Sequence, residues 1–323
     1  MRAWVKETKD GTGGWGEIDE SKLPDRPLLV SVSHSALNYK DALAVTGRSP
    51  IFRAFPMIPG IDVVGTVLSD DSGTFATGSR IVAIGSGMGE TTMGGYAEQV
   101  RLEPDWAVAV PEAMSSADAA AVGTAGVTAA LSVLALQDFG MTPDKGPVLV
   151  TGATGGVGSY AVALLAALGY QVHAVTGRLS ESDYLRSLGA SEVLDRTTLE
   201  GEPRPLGKEL WPAAVDVAGG KILANVLASI RYGGAVAASG LAQSMSLPVT
   251  VAPFILRGVS LLGIDSVQAP LAKRERAWAL IGKELQTKHF EAIKTVHPIA
   301  AVDDLAPKLL DGQLRGRAVL EWR

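Results

Sequence analysis

A glycine-rich turn near the middle of the chain has the residue types that hold a phosphate. Gly152, Gly155, Gly156 and Gly158 lie in "TGATGGVG", directly after the apolar run "GPVLV". Glycines let backbone N–H groups approach a pyrophosphate, and the N-terminus of a following helix attracts its charge. An ordinary loop can also be rich in glycine. Strand, turn, helix and second strand nevertheless follow in order within about 30 residues, which favours a dinucleotide site.

The end of the second strand indicates which dinucleotide binds. "QVHAVTGR" ends at Thr176, Gly177 and Arg178, where NAD-binding proteins usually carry an acidic residue for the ribose hydroxyls. A carboxylate would repel a 2′-phosphate, whereas guanidinium and hydroxyl groups bind it. Arg196, after "ASEVLD", is a second cation for that phosphate. The acidic residues in "SESD" leave NAD open, although they suit the first turn of a helix. We predict NADPH.

The tetrapeptide "NYKD", residues 38–41, is the candidate catalytic group. The Asn38 amide could position a nicotinamide or its ribose, and the Tyr39 phenol could contact the cofactor or supply a proton. Lys40 and Asp41 could form a charged pair that sets the local electrostatics. The alternative is structural, with Asn38 as the N-cap of a helix that continues through "KDALAV".

Two kinds of element must position these groups. Up to about residue 110, short Val/Ile-rich runs bounded by turn residues predict a compact β barrel or partly open sheet. These strands are 27–38, 61–69, 78–85 and 106–111. From about residue 116, helices and strands alternate, which predicts a parallel sheet with right-handed crossovers. The helices are 117–137, 156–168, 181–188 and 220–230, and the strands are 147–151, 171–176, 214–218 and 234–239.

The end of the chain returns to mixed character, with a helix near 272–286 and a strand at 316–322. The predicted fold class is therefore α/β, with a doubly wound parallel sheet inserted in a β-rich domain. The predicted boundaries are 1–118 for the first part of the β-rich domain and 119–255 for the nucleotide-binding domain. Residues 256–323 supply the last strand of the parallel sheet and then return to the β-rich domain.

Composition excludes several classes of function. A chain of 323 residues predicts two domains, and a net charge of −5 argues against nucleic acid or an anionic membrane as partner. The absence of cysteine excludes disulfides, thiolate catalysis and cysteine-ligated metal sites. The four histidines lie on unrelated segments without ligand spacing, so no metal is expected. They are His34, His173, His289 and His297.

One uncharged segment has the length of a membrane span. Residues 119–137 are dominated by Ala, Gly, Thr and Ser, which favours a buried helix over a span. The N-terminus has no apolar core of signal-peptide length, so a cytoplasmic location is expected.

Longer motifs indicate a family. They are "LNYKDALAVTG", "FPMIPGIDVVGTV", "GGYAEQVRL", "GTAGVTA", "TGATGGVG", "VTGR", "SLGASEVLDR", "YGGAVAASGLA" and "PFILRGVSLLGIDSV". With them the chain resembles the zinc-free medium-chain dehydrogenases/reductases over essentially its whole length, and most of all acryloyl-CoA reductases and related quinone oxidoreductases. The resemblance implies a GroES-like catalytic domain, a Rossmann domain, and homodimers joined through a sheet edge near "GVSLLGIDSV". Zinc-dependent relatives have a His-Glu pair where this chain has Ile61-Asp62.

The resemblance also implies further cofactor contacts. The turn would contribute Thr154, Gly155, Gly156 and Val157. Leu241, Ile255 and Ser266 would flank the nicotinamide, although core packing is an equal alternative for Leu241 and Ile255. Gly312 stands where relatives often have Asn, so any side-chain contact made there is missing.

The reaction implied by the resemblance is NADPH-dependent reduction of the C=C bond of a short α,β-unsaturated acyl-CoA. Hydride addition to the β-carbon needs no metal, because hydrogen bonds can stabilise the delocalised enolate. Arg48 and Arg53, and more weakly Arg101, could meet the CoA phosphates, although surface arginines are common. A quinone or enone reductase and an NADPH-binding protein without turnover are the alternatives.

Overall fold

The computed structural model describes residues 1–322. Its strands are β1 (Arg2–Val5), β2 (Gly14–Glu17), β3 (Leu28–Ala36), β4 (Asp62–Asp70), β5 (Arg80–Ile84), β6 (Gln99–Leu102), β7 (Ala107–Ala109), β8 (Val148–Val150), β9 (Val172–Thr176), β10 (Glu192–Asp195), β11 (Trp211–Asp216), β12 (Ile230–Ala238), β13 (Ser260–Gly263), β14 (Lys294–Pro298) and β15 (Arg317–Glu321). Its helices are α1 (Tyr39–Thr46), α2 (Ser116–Asp138), α3 (Gly156–Ala167), α4 (Ser182–Ser187), α5 (Gly220–Ser229), α6 (Ala252–Arg257), α7 (Leu271–Glu284), α8 (Thr287–Ile293) and α9 (Val302–Leu310).

The chain divides into two compact units. Unit 1 comprises Met1–Ala125, Val267–Glu275 and Ile293–Arg323, and unit 2 comprises Gly126–Ser266 and Arg276–Ala292. The sequence-based boundaries at residues 118 and 255 lie before the divisions at residues 125–126 and 266–267.

Unit 2 is built on a six-stranded parallel sheet in the order β10-β9-β8-β11-β12-β13. This is the strand order of a doubly wound dinucleotide-binding domain. The short central strands are wholly buried, as parallel strands covered on both faces must be. The prediction of a Rossmann-type sheet is confirmed, and it brings the glycine turn after β8 beside the end of β9.

Unit 1 contains a seven-stranded sheet in the order β14-β15-β3-β4-β5-β7, with β6 also paired to β3. All its strand pairs are antiparallel except β14 with β15. The predicted β-rich domain is therefore confirmed. The sheet brings the C-terminal strand β15 next to β3, and β3 next to β4, so that residues far apart in sequence become neighbours.

The predicted continuous helix at 117–137 is wrong at one residue. Gly123 interrupts α2 with φ 39° and ψ −148°. A Cβ atom on Gly123 would lie 2.3 Å from Oδ2 of Asp62, so only glycine fits this approach. The helix is long and apolar enough to pass a membrane-span test, yet 89% of its most apolar window is buried in the protein. It is a core helix, as its composition predicts.

Candidate functional site

The glycine turn of unit 2 is built so that side chains are excluded from it. Gly152 has φ +58°, and a Cβ there would lie 2.4 Å from Cγ2 of Val217. A Cβ on Gly158 would lie 2.2 Å from the carbonyl oxygen of Gly152. Helix α3 begins directly after its N-cap Gly155, so its first N–H groups face the turn. These residues fit a pyrophosphate, because backbone can approach it without side-chain hindrance.

Side-chain hydroxyls fasten the turn to the sheet. Thr154 is buried, and its Oγ1 lies 3.4 Å from Oγ1 of Thr176 at the end of β9. Thr151 donates from Oγ1 to Oδ1 of Asp216, 2.6 Å away at the end of β11. The other oxygen of Asp216 accepts from the N–H of Gly219, and burial raises the pKa of this carboxyl group. Sequence reasoning missed Asp216, although an Asp closing the apolar strand "WPAAVD" was a visible signal.

The end of β9 lacks the acidic residue that would bind ribose hydroxyls. The N–H of Arg178 donates to Oγ1 of Thr176 at 3.0 Å. The guanidinium of Arg196 lies over Gly177, where a Cβ atom would be 3.0 Å from its Cζ. The nearby Asp195 accepts from the N–H of Thr197 and so caps its own turn. Hydroxyl and guanidinium groups together fit a 2′-phosphate.

Three more predicted contacts of unit 2 lie in different environments. Leu241 is 50% exposed and Ile255 is 73% exposed, so the core-packing alternative for these side chains is wrong. Ser266 is buried and its Oγ accepts from Oγ1 of Thr128 at 2.7 Å. In unit 1, Gly312 has φ +69° and follows the end of α9, so it serves to end that helix.

A buried polar cluster in unit 1 contains Asn38, Asp41, Asp62, Thr124 and Arg317. Asp62 is its centre and is fully buried. Its Oδ1 accepts from both the N–H and Oγ1 of Thr124, at 2.8 and 2.6 Å. Its Oδ2 accepts from Nδ2 of Asn38 at 2.8 Å and from Nη2 of Arg317 at 2.9 Å. The charge of Asp62 is thus paired and hydrogen-bonded, as a buried carboxylate requires.

Asp41 is a buried backbone acceptor at the first turn of α1. It is 1% exposed, and its oxygens accept from the N–H groups of Asn38, Gly60 and Ile61. Burial and the charge of Asp62 raise the pKa of Asp41 to about 7, against the effect of these donors. The predicted pair of Lys40 with Asp41 is wrong, because Asp41 points inward at the third position of the helix.

Lys40 pairs instead with Glu90, whose Oε2 lies 2.7 Å from its Nζ. Both ends of the Asn38 amide are hydrogen-bonded within the protein, since its Oδ1 accepts from Nη1 of Arg317 and its Nδ2 donates to Asp62. The structural alternative for "NYKD" therefore accounts for Asn38 and Asp41. Tyr39, at the first position of α1, is 43% exposed. Of the tetrapeptide, Tyr39 and Lys40 are the residues that reach the surface.

The candidate CoA-binding arginines differ in their partners. Arg48 forms an exposed ion pair with Asp311 at 2.8 Å. Arg101 donates to the carbonyl oxygen of Arg26 and lies on β6. Arg53 is exposed, and its backbone N–H donates to the carbonyl oxygen of Glu90. This hydrogen bond holds the loop of Arg53 beside the partner of Lys40.

Within residues 1–322, no group of three or more metal-ligating side chains comes together. Ile61 and Asp62 occupy the place of the His-Glu pair described above, and Asp62 holds Arg317. Sequence reasoning missed Arg317, Thr124 and Glu90. For Arg317 the signal was a charged residue opening the apolar strand "RAVLE", which is otherwise unusual for a buried strand.

A doubly wound sheet with a glycine turn and a GroES-like β unit define the class of nicotinamide-dependent dehydrogenases and reductases. Residues 24–112 match the alcohol dehydrogenase GroES-like domain family, and residues 156–282 match the zinc-binding dehydrogenase family. The chain is 46% identical over 323 residues to a probable acrylyl-CoA reductase AcuI of Escherichia coli, covering 99% of each. It is 45% identical to acrylyl-CoA reductase AcuI of Ruegeria pomeroyi, covering 94% of this chain and 93% of that protein.

Solved structures agree with this relationship. The yhdH oxidoreductase of Salmonella enterica in complex with NADP is 48% identical, with a TM-score of 0.97 over 100% of both chains. The Bacillus subtilis protein yhfP with NAD bound is 40% identical, with a TM-score of 0.93 over 99% of this chain and 98% of that one. The chain belongs to the medium-chain dehydrogenase/reductase family.

Proposed function

We propose that the protein is an NADPH-dependent reductase of a short α,β-unsaturated acyl-CoA, converting acryloyl-CoA to propanoyl-CoA. The observation that carries the proposal is near-full-length identity of 45–46% to two acrylyl-CoA reductases. The end of β9 supports the phosphorylated cofactor, because Thr176 and Arg178 stand where a carboxylate would favour NAD. The NADP in the Salmonella enterica relative supports it further.

In the proposed reaction, a hydride and a proton add across the C=C bond. Bound NADPH would supply the hydride, which reaches the β-carbon, and the α-carbon takes a proton. The turn at residues 152–158 would hold the pyrophosphate on backbone N–H groups and the start of α3. Thr176, Arg178 and Arg196 would hold the 2′-phosphate, with Leu241, Ile255 and Ser266 at the nicotinamide.

Within "NYKD" we assign separate roles. Tyr39 is the candidate for cofactor contact or proton transfer, because its phenol is exposed at the start of α1. Asn38 and Asp41 position the first turn of α1, which carries Tyr39, through their hydrogen bonds in the polar cluster. The ion pair of Lys40 with Glu90 sets the charge beside that turn. Arg53 is the candidate for the CoA phosphates. The matched variants Tyr39→Phe and Arg53→Ala separate these roles: the first should lower kcat, and the second should raise KM for acryloyl-CoA only.

The direct test is to mix the purified protein with acryloyl-CoA and follow oxidation of NADPH by absorbance. Rapid oxidation with propanoyl-CoA as product is expected. Oxidation with a quinone or simple enone but not with the CoA ester would favour the quinone oxidoreductase alternative, which the putative quinone oxidoreductase YhfP of Bacillus subtilis keeps open. NADPH binding without oxidation of any acceptor would favour a non-catalytic protein and overturn the proposal.

We also propose that the protein acts in the cytoplasm as a homodimer joined through the edge of the unit 2 sheet. Strand β13 ends the order of that sheet, so its outer backbone groups can pair with a second copy. Exposed apolar residues lie before or on this strand, which supports a protein partner. They are Met245, Val251, Leu256 and Leu261. Light scattering should give twice the chain mass, and Leu261→Lys should shift it to the monomer; a monomeric wild type would contradict this proposal.

A further inference from the structure

The guanidinium of Arg196 is fixed from two sides at the end of the unit 2 sheet. The strands β9 and β10 pair in parallel with Asp195 opposite Thr176, so Arg196 follows beside Gly177. An ideal Cβ on Gly177 would lie 3.0 Å from Cζ, 3.2 Å from Nη1 and 3.3 Å from Nε of Arg196. The guanidinium therefore rests on the bare backbone of the residue just before Arg178.

Glu200 holds the other side of this guanidinium. Its Oε1 lies 2.7 Å from Nε of Arg196, four residues earlier on the short helical turn Arg196–Leu199. This ion pair restrains the guanidinium on the Nε side and leaves both Nη groups for another anion. The neighbouring Asp195 does not compete for Arg196 in this way, because it accepts from the N–H of Thr197.

We propose that Glu200 is a positioning residue for cofactor selection: it orients Arg196 over Gly177 as the second cation, beside Arg178, for the 2′-phosphate. This inference rests on the proposed NADPH cofactor. An acidic residue near a phosphate site would ordinarily weaken binding by repulsion. Here the carboxylate engages Nε, and both side chains are partly exposed, so solvent reduces the repulsion whereas the geometric restraint remains.

Positioning and repulsion by Glu200 predict opposite changes in 2′-phosphate affinity for the variant Glu200→Ala. If Glu200 acts by positioning, Glu200→Ala frees the guanidinium and weakens 2′-phosphate binding. Glu200→Gln keeps a polar side chain of the same length beside Nε and removes the charge, so it should bind more tightly than Glu200→Ala. If repulsion dominates, both variants bind more tightly. Glu202→Ala is the control, because Glu202 pairs with Lys221 and lies two residues away.

The experiment measures calorimetric dissociation constants of 2′,5′-ADP and 5′-ADP, which differ only in the 2′-phosphate. Wild type should prefer 2′,5′-ADP, which tests the proposed cofactor separately; equal binding would mean that the cofactor assignment has failed. Glu200→Ala should weaken 2′,5′-ADP about fivefold, a fraction of one charge-assisted bond, and leave 5′-ADP within about twofold. Gly177→Ala, which displaces Arg196, should act in the same direction.

A double-mutant cycle completes the test. Arg196→Ala should weaken 2′,5′-ADP about tenfold, and adding Glu200→Ala should then have no further effect, because Glu200 acts only through Arg196. Tighter 2′,5′-ADP binding by Glu200→Ala, or an undiminished effect of it in the Arg196→Ala background, would overturn the proposal. A thermal midpoint close to that of wild type shows that each variant is folded.

Discussion

The glycine turn of unit 2 and the polar cluster of unit 1 are both sites where polar groups meet, but they are assembled in opposite ways. The turn and the end of β9 come from one βαβ unit, and the groups proposed to bind the cofactor are backbone N–H groups and the partly exposed cations Arg178 and Arg196. The cluster joins side chains up to 279 residues apart, as between Asn38 and Arg317, and buries them. The first is open to a ligand, whereas the second has its hydrogen-bonding groups already satisfied by the protein.

The two regions therefore have different proposed roles: the glycine turn region binds a ligand, whereas the buried cluster positions the residues around it. Changes of the partly exposed cations at the end of the turn's sheet, Arg178 and Arg196, should alter ligand affinity with little loss of stability. Changes in the cluster should first alter stability, because removing one partner leaves a buried charge unpaired.

The largest effect is expected for Asp62→Ala. This change removes the acceptor of Thr124, Asn38 and Arg317, and leaves the buried Arg317 guanidinium without its carboxylate. Loss of one member of a buried pair costs about 3–5 kcal/mol of unfolding free energy. Urea denaturation followed by circular dichroism measures it.

An exposed pair provides the control for that change. Arg276 and Asp138 in unit 2 form an ion pair with 52% and 57% exposed side chains. Asp138→Ala should cost less than about 1 kcal/mol, because solvent screens exposed pairs. Similar losses for Asp62→Ala and Asp138→Ala would break the distinction between the buried cluster and the surface.

A smaller and selective effect is expected for Arg178→Asp at the end of β9. One charge-assisted contact to a phosphate contributes about 1.5–3 kcal/mol, so NADPH should bind at least about tenfold more weakly while NADH changes much less. Fluorescence titration with both cofactors measures the ratio. Equal losses for NADPH and NADH would show that Arg178 recognises a part common to both.

A non-selective effect is expected for Gly158→Ala. The added Cβ would meet the carbonyl oxygen of Gly152 at 2.2 Å and Cα of Ala153 at 2.7 Å, so the turn must move. Overpacking of this kind costs about 1–3 kcal/mol, and we expect NADPH and NADH to lose affinity by similar factors. A loss confined to NADPH would show that the turn itself reads the 2′-phosphate. Gly282→Ala on α7, where a Cβ meets nothing within 4 Å and φ is not positive, is the control for a glycine-to-alanine change without overpacking.

The same contrast explains what could be predicted from the sequence. The doubly wound sheet, the glycine turn and the absence of an acidic residue after β9 are local patterns, and each was visible in a short window. Asp62, Thr124 and Arg317 come together only through the pairing of β15 with β3 and β3 with β4. No short window contains that pairing. The predicted pair of Lys40 with Asp41 failed for a similar reason, because the fold pairs Lys40 with Glu90, 50 residues further along the chain.

The smallest expected effect is a pH dependence that arises within the cluster. The pKa of Asp41 is raised from 3.8 to about 7 by burial and by Asp62, so between these pH values the folded protein binds more protons than the unfolded chain. The stabilising contribution of Asp41 to the free energy of unfolding is therefore fully present below about pH 4. It is lost as the pH rises through about 7.

Asp41→Asn removes that titration. Its amide cannot accept from all three N–H donors, so the variant should be less stable than wild type at every pH. The stability advantage of wild type should nevertheless shrink by about 1–2 kcal/mol between about pH 5 and pH 6, because only the wild-type group must ionise while buried. Urea denaturation of both proteins at the two pH values measures the difference. A constant advantage would mean that the three N–H donors outweigh burial and keep Asp41 ionised throughout, so that the cluster would resemble a fixed structural charge rather than a titrating one.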